Sequence, residues 1–145
     1  MCKKSNRIII VITTLFCIAV ILFLVFFKII IVSGQSMAPT LDDGAILLIG
    51  KVNSEYLKND IVVFEKDNTT MKKRVIGVPG DTIELKDKCV YRNGIKLQID
   101  CDVDKSVIIE LNQDEYFVVG DNYGDSYDSR NYGCINEQSI LGKVL

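Results

Sequence analysis

One long apolar run near the N-terminus constrains this chain more than any other feature of its sequence. Residues 8–27, IIIVITTLFCIAVILFLVFF, contain no charged residue, no glycine and no proline. As a helix, a run of this length spans about 30 Å, which is the thickness of the hydrocarbon core of a bilayer. We therefore expect residues 8–28 to form a single transmembrane anchor.

The charges that flank this run predict its orientation. Lys3, Lys4 and Arg7 precede it, whereas Lys28 alone follows closely. Because basic residues favour the cytoplasmic side, we expect residues 1–7 in the cytoplasm and residues 33–145 outside the membrane. A cleavable signal peptide is the alternative, but its apolar region would be too long and no Ala-x-Ala site follows. The pattern favours an uncleaved, single-pass anchor.

Composition argues against several kinds of site in the remaining chain. There is no histidine, which excludes His-based catalytic triads and His-based metal sites. The five cysteines show no CxxC spacing, and the acidic residues of segment 120–130 do not match the spacing of an EF-hand calcium loop. Residues 33–145 carry 13 of the 17 basic residues but all 19 acidic ones, which disfavours a nucleic-acid partner. We expect neither a metal nor a cofactor.

Beyond the anchor, short apolar runs broken by Gly, Asn and Asp predict a mainly β domain without a convincing amphipathic helix. The predicted strands are residues 45–49, 60–65, 71–78, 81–85, 107–111 and 116–119. Asn93-Gly94 predicts a two-residue hairpin turn. Counting outward from this turn places Cys89 opposite Gln98, with Cys101 roughly 10 Å farther along the strand. A Cys89–Cys101 disulfide then requires the chain to bend back and is not favoured.

Three polar clusters are candidate sites, although each has an ordinary structural interpretation. They are residues 33–41, 71–81 and 120–130, which read singly as a turn, a solvated basic face and a surface loop. The basic run of the second cluster lies within a predicted strand, so alternation must direct at least one of its side chains inward. Burial lowers the pKa of a lysine, and a neutral lysine amine can act as a general base.

Strand alternation distinguishes the two adjacent lysines of this cluster. Lys73 shares its face of the strand with Met71 and Val75, which are apolar, whereas Lys72 shares its face with Arg74. We therefore expect the Lys73 face to be dry. The Lys72 face is expected to be solvated or turned towards lipid headgroups.

Together, and in this order behind an anchor, the clusters resemble the type I signal peptidases, the membrane-bound serine proteases that cleave signal peptides. The resemblance covers nearly all of residues 33–145. Its motifs are Ser36-Met37-x-Pro39-Thr40-Leu41, Lys73-Arg74-Val75-Ile76-Gly77-x-Pro79-Gly80-Asp81, and Gly120-Asp121-Asn122 followed by Ser126-x-Asp128-Ser129-Arg130.

The resemblance implies roles for individual residues. It implies that Ser36 is the nucleophile and that Lys73 is the general base. Ser126 matches the hydroxyl that orients the lysine amine, while Asp128 and Arg130 match an ion pair that braces the site.

Gly34 and Met37 are further supporting positions that the resemblance implies. In some members of the family, a serine two residues before the nucleophile helps to hold the oxyanion. Gly34 occupies that position here, so the oxyanion hole would depend on the backbone N–H of Ser36 and on other nearby groups.

The fold implied by the resemblance is the β catalytic domain shared with the self-cleaving repressor proteases (the LexA-like fold), here with a reduced hairpin insertion at about residues 82–115. The implied activity is cleavage of preprotein signal peptides after small residues of the Ala-x-Ala type. We expect a monomer, without a cofactor, in a bacterial cell membrane. The alternatives are a specialised relative that processes pilin or surface-protein precursors, or a non-catalytic assembly relative, which the presence of both Ser36 and Lys73 disfavours.

Overall fold

The computed structural model describes residues 2–51, 55–102 and 106–145, with side chains from residue 7 onward. An N-terminal helix is followed by a domain of two antiparallel sheets, so the predicted mainly β fold with one N-terminal apolar helix is confirmed. The elements are α1 (Cys2–Phe26), β1 (Phe27–Ile31), β2 (Ile46–Gly50), β3 (Ile61–Lys66), β4 (Thr69–Gly77), β5 (Thr82–Lys86), β6 (Cys89–Arg92), β7 (Ile95–Asp100), β8 (Val107–Glu110), β9 (Glu115–Val119), α2 (Ser129–Tyr132), β10 (Ile135–Asn136) and β11 (Ile140–Val144).

The helix ends at Phe26, two residues before the predicted end of the anchor at residue 28. The β-branched run at residues 29–32 favours extended backbone, and the chain enters β1, which pairs with β2. Lys51 then forms two hydrogen bonds to carbonyl groups at the end of the helix. Its N–H donates to the Phe26 carbonyl at 2.8 Å, and its Nζ donates to the Leu24 carbonyl at 2.7 Å. These bonds satisfy carbonyls that the last helical turn leaves open.

The larger sheet brings distant segments together around β4. Its strand order is β1-β2-β11-β3-β4-β9-β10. The predicted strands that correspond to β2, β3, β4 and β9 are confirmed. The sequence patterns do not predict β1, β10 or β11, because the partners that complete these strands are far away in the chain. In particular, β11 inserts between β2 and β3.

The smaller sheet has the order β7-β6-β5-β8 and packs against the larger one. Ile83 and Leu85 of the smaller sheet share a buried apolar cluster with Phe117 and Val119 of β9. The sheets approach closely at Gly77 of β4, where an added Cβ would lie 2.9 Å from the Cδ1 atom of Ile83. Glycine at this position therefore allows the two sheets to share one core.

The predicted hairpin turn is present, but the register changes farther along it. Arg92 pairs with Ile95, and both residues of the Asn93-Gly94 turn have positive φ, as this type of turn requires. The pairing then shifts at a bulge, so that Cys89 lies opposite Asp100 and not Gln98. The predicted register is wrong at this point because a bulge adds residues to one strand only. Cys89 is a free thiol.

Candidate active site

Lys73 lies on β4 with its side chain on a dry face of the larger sheet. Its partner on β3 is Val62, and Val75 lies on the same face; both valines are fully buried. Lys73 itself is 3% exposed. Burial lowers the pKa of the Lys73 ammonium, although the carboxylate of Asp128 acts in the opposite direction. The expectation of a dry face around Lys73 is confirmed.

Lys72 is also buried, and the prediction of a solvated face for this residue is wrong. Lys72 is 8% exposed, and its partner on β3 is the fully buried Val63. Ile61, on the same face of β3, packs against the apolar cluster of the segment between β1 and β2. That segment covers the face. Alternation along one strand cannot reveal a cover that comes from another part of the chain.

Ser126, Asp128 and Arg130 form a hydrogen-bonded chain that ends at Lys73. The Nζ of Lys73 donates to the Oγ of Ser126 at 3.0 Å, and this hydroxyl donates to Oδ2 of Asp128 at 2.6 Å. Arg130 donates from Nε to Oδ1 of Asp128 at 2.8 Å and from Nη2 to Oδ2 at 2.9 Å. Asp128 is fully buried. The structure thus brings four of the candidate site residues into one network.

The ionisation of Asp128 determines the direction of these hydrogen bonds. Burial acts to raise the pKa of Asp128, but hydrogen bonds from Arg130, Ser126 and the Gly120 N–H outweigh it, and the pKa lies below its ordinary value. An ionised carboxylate only accepts hydrogen bonds, so the single hydroxyl proton of Ser126 points to Asp128. The lone pairs of Ser126 Oγ then accept an N–H of Lys73. A neutral Lys73 amine held in this way directs its own lone pair away from Ser126.

The start of α2 fixes the position of the Asp128 carboxylate. Asp128 caps this helix: its Oδ1 accepts the N–H of Arg130 at 3.1 Å, while its own N–H donates to Oδ1 of Asn131 at 3.1 Å. The sequence pattern does not predict this helix, because four residues are too few to show a periodicity. This reciprocal capping orders the loop that carries Ser126 and Asp128.

The loop that carries Ser36 packs through its backbone against the segment that follows β9. The Ser36 carbonyl accepts the Asn122 N–H at 3.0 Å, and Nδ2 of Asn122 donates to the Gln35 carbonyl at 3.2 Å. A Cβ on Gly120 would lie 2.5 Å from the Ser36 carbonyl oxygen and 2.7 Å from the Ser126 Cβ. Gly120 therefore separates the Ser36 backbone from the Ser126 side chain with no room for a methyl group. Gly120 and Asn122 belong to the sequence motif, but their roles depend on contacts with the distant Ser36 loop and could not be predicted from it.

An ion pair joins the Lys73 strand to the same segment. Nε of Arg74 donates to Oδ1 of Asp121 at 2.8 Å, and Nη2 donates to Oδ2 at 2.6 Å. Burial acts to raise the pKa of Asp121, but the hydrogen bonds from Arg74 lower it overall. Arg74 follows Lys73 directly, and Asp121 precedes Asn122. The bidentate pair thus holds the base-bearing strand next to the segment that binds the Ser36 loop.

Gly34 and Met37 shape the Ser36 loop. Gly34 has a φ of +90°, which favours glycine, and its N–H donates to Oδ1 of Asp43 at 2.8 Å. Met37 is 2% exposed and belongs to the apolar cluster beneath the loop. The structure therefore gives Gly34 a turn conformation and Met37 a packing contact.

Comparison with known proteins identifies the family of this chain. The sequence profile described as "Signal peptidase, peptidase S26" matches residues 5–145. Signal peptidase I U of Bacillus subtilis (strain 168) is 34% identical, and the alignment covers 97% of this chain and 87% of the relative. The chain belongs to the signal peptidase family, peptidase S26. It is accordingly a hydrolase of the serine peptidase class.

Further members of the signal peptidase family agree with this assignment. Signal peptidase I P of Bacillus subtilis subsp. natto is 36% identical over 97% of this chain and 88% of its own length. Signal peptidase IB of Staphylococcus aureus (strain Mu50 / ATCC 700699) is 36% identical over 78% of this chain and 73% of its own length. The crystal structure of a signal peptidase I from Enterococcus faecalis V583 matches with a TM-score of 0.50 at 27% identity. That match covers 63% of this chain and 97% of the other. The family resemblance found in the sequence is confirmed.

Replacing Gly120 with alanine is expected to disrupt the site of this signal peptidase family member. The added methyl would overlap the Ser126 side chain and would lie 2.5 Å from the Ser36 carbonyl oxygen, so one of the two loops must move. Because a misplacement of about 1 Å can cost about 100-fold in rate, we expect kcat/KM for a reporter preprotein to fall about 100-fold. Gly124→Ala is the matched control, since its Cβ would meet nothing within 4 Å. Equal activity of the two variants would contradict the role of Gly120.

Proposed function

We propose that this serine peptidase cleaves the signal peptides of secreted preproteins with Ser36 as nucleophile and Lys73 as general base. Membership of the signal peptidase family supports the activity. The observation that carries the assignment of the base is the buried Lys73 amine, which donates to the Oγ of Ser126 at 3.0 Å. The Ser36 loop, packed on Gly120 beside the Ser126 side chain, supports the assignment of the nucleophile.

The proposed reaction is an acyl transfer in which Lys73 carries one proton. The neutral Lys73 amine accepts the hydroxyl proton of Ser36 as Ser36 Oγ forms a bond to the scissile carbonyl carbon. The Lys73 ammonium then gives this proton to the leaving nitrogen as the C–N bond breaks, which releases the mature protein. The signal peptide remains as an ester on Ser36. Lys73 then takes a proton from water as the water oxygen bonds to the ester carbon. The bond from that carbon to Ser36 Oγ breaks, Lys73 returns the proton to Ser36 Oγ, and the signal peptide leaves with a free carboxylate.

The oxyanion of the tetrahedral intermediate requires a hydrogen-bond donor near Ser36. We assign this role to the backbone N–H of Ser36. The Gly34 N–H is engaged with Oδ1 of Asp43 at 2.8 Å, and Gly34 has no hydroxyl to contribute. Since one oxyanion donor is typically worth roughly 3 kcal/mol, the orientation of the Ser36 loop by Asn122 matters for the rate.

A reporter preprotein with an Ala-x-Ala cleavage site tests the proposed function. The purified full chain in detergent is expected to cleave it once, after the second alanine, and Ser36→Ala is expected to be inactive. Ser33→Ala, an exposed serine on the same loop, is the matched control and should remain active. The proposal fails if the wild-type protein cleaves no such preprotein, or if Ser36→Ala retains activity.

The activity is expected to rise with pH. Burial lowers the pKa of Lys73, and only the neutral amine can accept the Ser36 proton. Raising the pH increases the neutral fraction, so the rate should increase and then level off above the pKa of Lys73, at a pH below the ordinary lysine value of 10.5. The measurement is single-turnover cleavage across the pH range in which the chain stays folded. A rate that falls as the pH rises from 6 to 9 would contradict a lysine base.

The N-terminal part of the chain supports a position at the bilayer. Within the described residues, Arg7–Phe26 is the one helix that is long and apolar enough to cross a membrane. Immediately after it, Ile29 and Ile31 of β1 are 62% and 67% exposed, and Ile46, which pairs with Ile31, is 73% exposed. We propose that these three isoleucines rest on the lipid surface beside a single anchor. With this arrangement the candidate site would lie close to the membrane in which a signal peptide lies.

Protease protection tests the orientation of the anchor. Because the basic residues precede the apolar run of the helix, we expect an N-terminal tag to be inside and residues 33–145 to be outside. Protease added to spheroplasts should degrade the C-terminal domain and leave the tag intact. Protection of the C-terminal domain would contradict this topology.

A further inference from the structure

Lys72 is a second lysine with a buried stem on β4, and the reaction proposed above does not use it. It is 8% exposed, and none of the ion pairs in the described part of the chain includes it. Burial lowers the pKa of its ammonium, and the carboxylate of Asp43 offsets part of this effect from a distance beyond ion-pair contact. Within the described residues its Nζ makes no hydrogen bond, yet Nζ is not a fully buried atom, so the stem of Lys72 is buried while its charge reaches solvent without a partner.

Lys72 lies beside the candidate active site. It directly precedes Lys73 on β4 and occupies the opposite face, under the segment between β1 and β2. Asp43 belongs to this segment and accepts the N–H of Gly34, two residues before Ser36. Asp43 thus links the surroundings of the Lys72 ammonium to the loop that carries Ser36.

The edge of β4 beside Lys72 is open. On one side, β3 pairs with β4 from Thr69 to Arg74. On the other side, β9 pairs with it only between Arg74 and Gly77, and no other strand in the described ranges pairs with residues 69–73 there. An open strand edge can accept an extended peptide as an added strand. Alternate side chains of such a peptide would lie on the Lys72 face and on the Lys73 face.

We propose that Lys72 is a specificity-determining residue that selects preproteins with an acidic side chain among the residues just before the scissile bond. The substrate carboxylate supplies the ion-pair partner that the ammonium lacks among the described residues. A lysine or arginine at the same substrate position meets a like charge and is disfavoured. This inference rests on the proposed function and adds a charge preference to the recognition of small residues.

Cleavage of matched peptides tests this preference. Alanine is kept at the first and third positions before the scissile bond, while the second, fourth and fifth positions are each changed to Ala, Gln, Glu and Lys. At one of these positions, the wild-type protein should show a kcat/KM about tenfold higher for Glu than for Lys, with Gln in between. Lys72→Met should reduce this ratio to near one. Lys96→Met removes the same charge from an exposed position on β7 and should keep the wild-type ratio.

The outcomes separate this inference from the proposed function. If the wild-type protein cleaves the peptides but treats Glu and Lys alike at every position, the specificity role is wrong while the proposed function stands. A Glu/Lys ratio that is unchanged in Lys72→Met also overturns the role. Lys72→Gln, which keeps a polar side chain of similar length, replaces Lys72→Met if the methionine variant does not fold. If no Ala-x-Ala peptide is cleaved at all, the proposed function fails and the inference fails with it.

Discussion

Replacement of Lys73 by alanine or arginine is expected to reduce single-turnover cleavage of a preprotein by about 1,000-fold or more. Alanine removes the proton acceptor, and general-base catalysis of this kind typically contributes 100-fold to 10,000-fold. Arginine keeps a cationic side chain, but a guanidinium does not lose its proton in this pH range and so cannot act as the base. Lys73 is only 3% exposed on β4, and this burial favours its neutral amine. An arginine at the same position would stay charged.

The matched control for Lys73 is Lys96→Ala, which removes an exposed lysine from β7. Its cleavage rate should equal that of the wild-type protein. A thermal unfolding measurement on each purified variant separates loss of chemistry from loss of fold. The assignment of the base is wrong if folded Lys73→Arg cleaves at a rate close to that of the wild-type protein.

Replacement of Asp128 by alanine is expected to reduce the free energy of unfolding by about 3–5 kcal/mol, the range typical of breaking a buried ion pair. Asp128 is fully buried and accepts hydrogen bonds from Ser126, Gly120 and Arg130. Its loss leaves the Arg130 guanidinium buried without its carboxylate and the Ser126 hydroxyl without its acceptor. The measurement is the thermal unfolding midpoint, which should fall by more than about 10 °C for a domain of this size. Glu110→Ala, an exposed acid on β8, is the control.

The stability contributed by Asp128 should also depend on pH. Its pKa in the folded chain lies below the ordinary value of 3.8. The contribution is therefore fully present above pH 3.8 and is lost as the pH falls through the lowered pKa of the folded state. In that acidic range, the unfolding midpoint of the wild-type protein should fall towards that of Asp128→Ala. If Asp128→Ala is as stable as Glu110→Ala at neutral pH, the ion pair does not support the fold.

Features that depend on local sequence could be predicted before the structure. The apolar run forms α1 because its length and composition suffice for a helix of membrane thickness. The Asn93-Gly94 turn forms because these residues accept positive φ, and it sets the pairing of Arg92 with Ile95. Alternation along β4 placed Lys73 on the face with apolar neighbours. The order of the three motifs identified the family.

The surroundings of these residues were decided only by the tertiary structure. Ser126 meets Lys73 across 53 residues of sequence, through a pairing of β4 with β9 that no local pattern specifies. Lys72 is buried because the segment between β1 and β2 covers its face of the sheet. The pairing of Cys89 differs from the predicted one because a bulge shifts the register of β6 with β7. Periodicity fixes the side of a strand on which a residue lies. What covers that side depends on contacts between distant segments, and these contacts determine burial, pKa and hydrogen bonding.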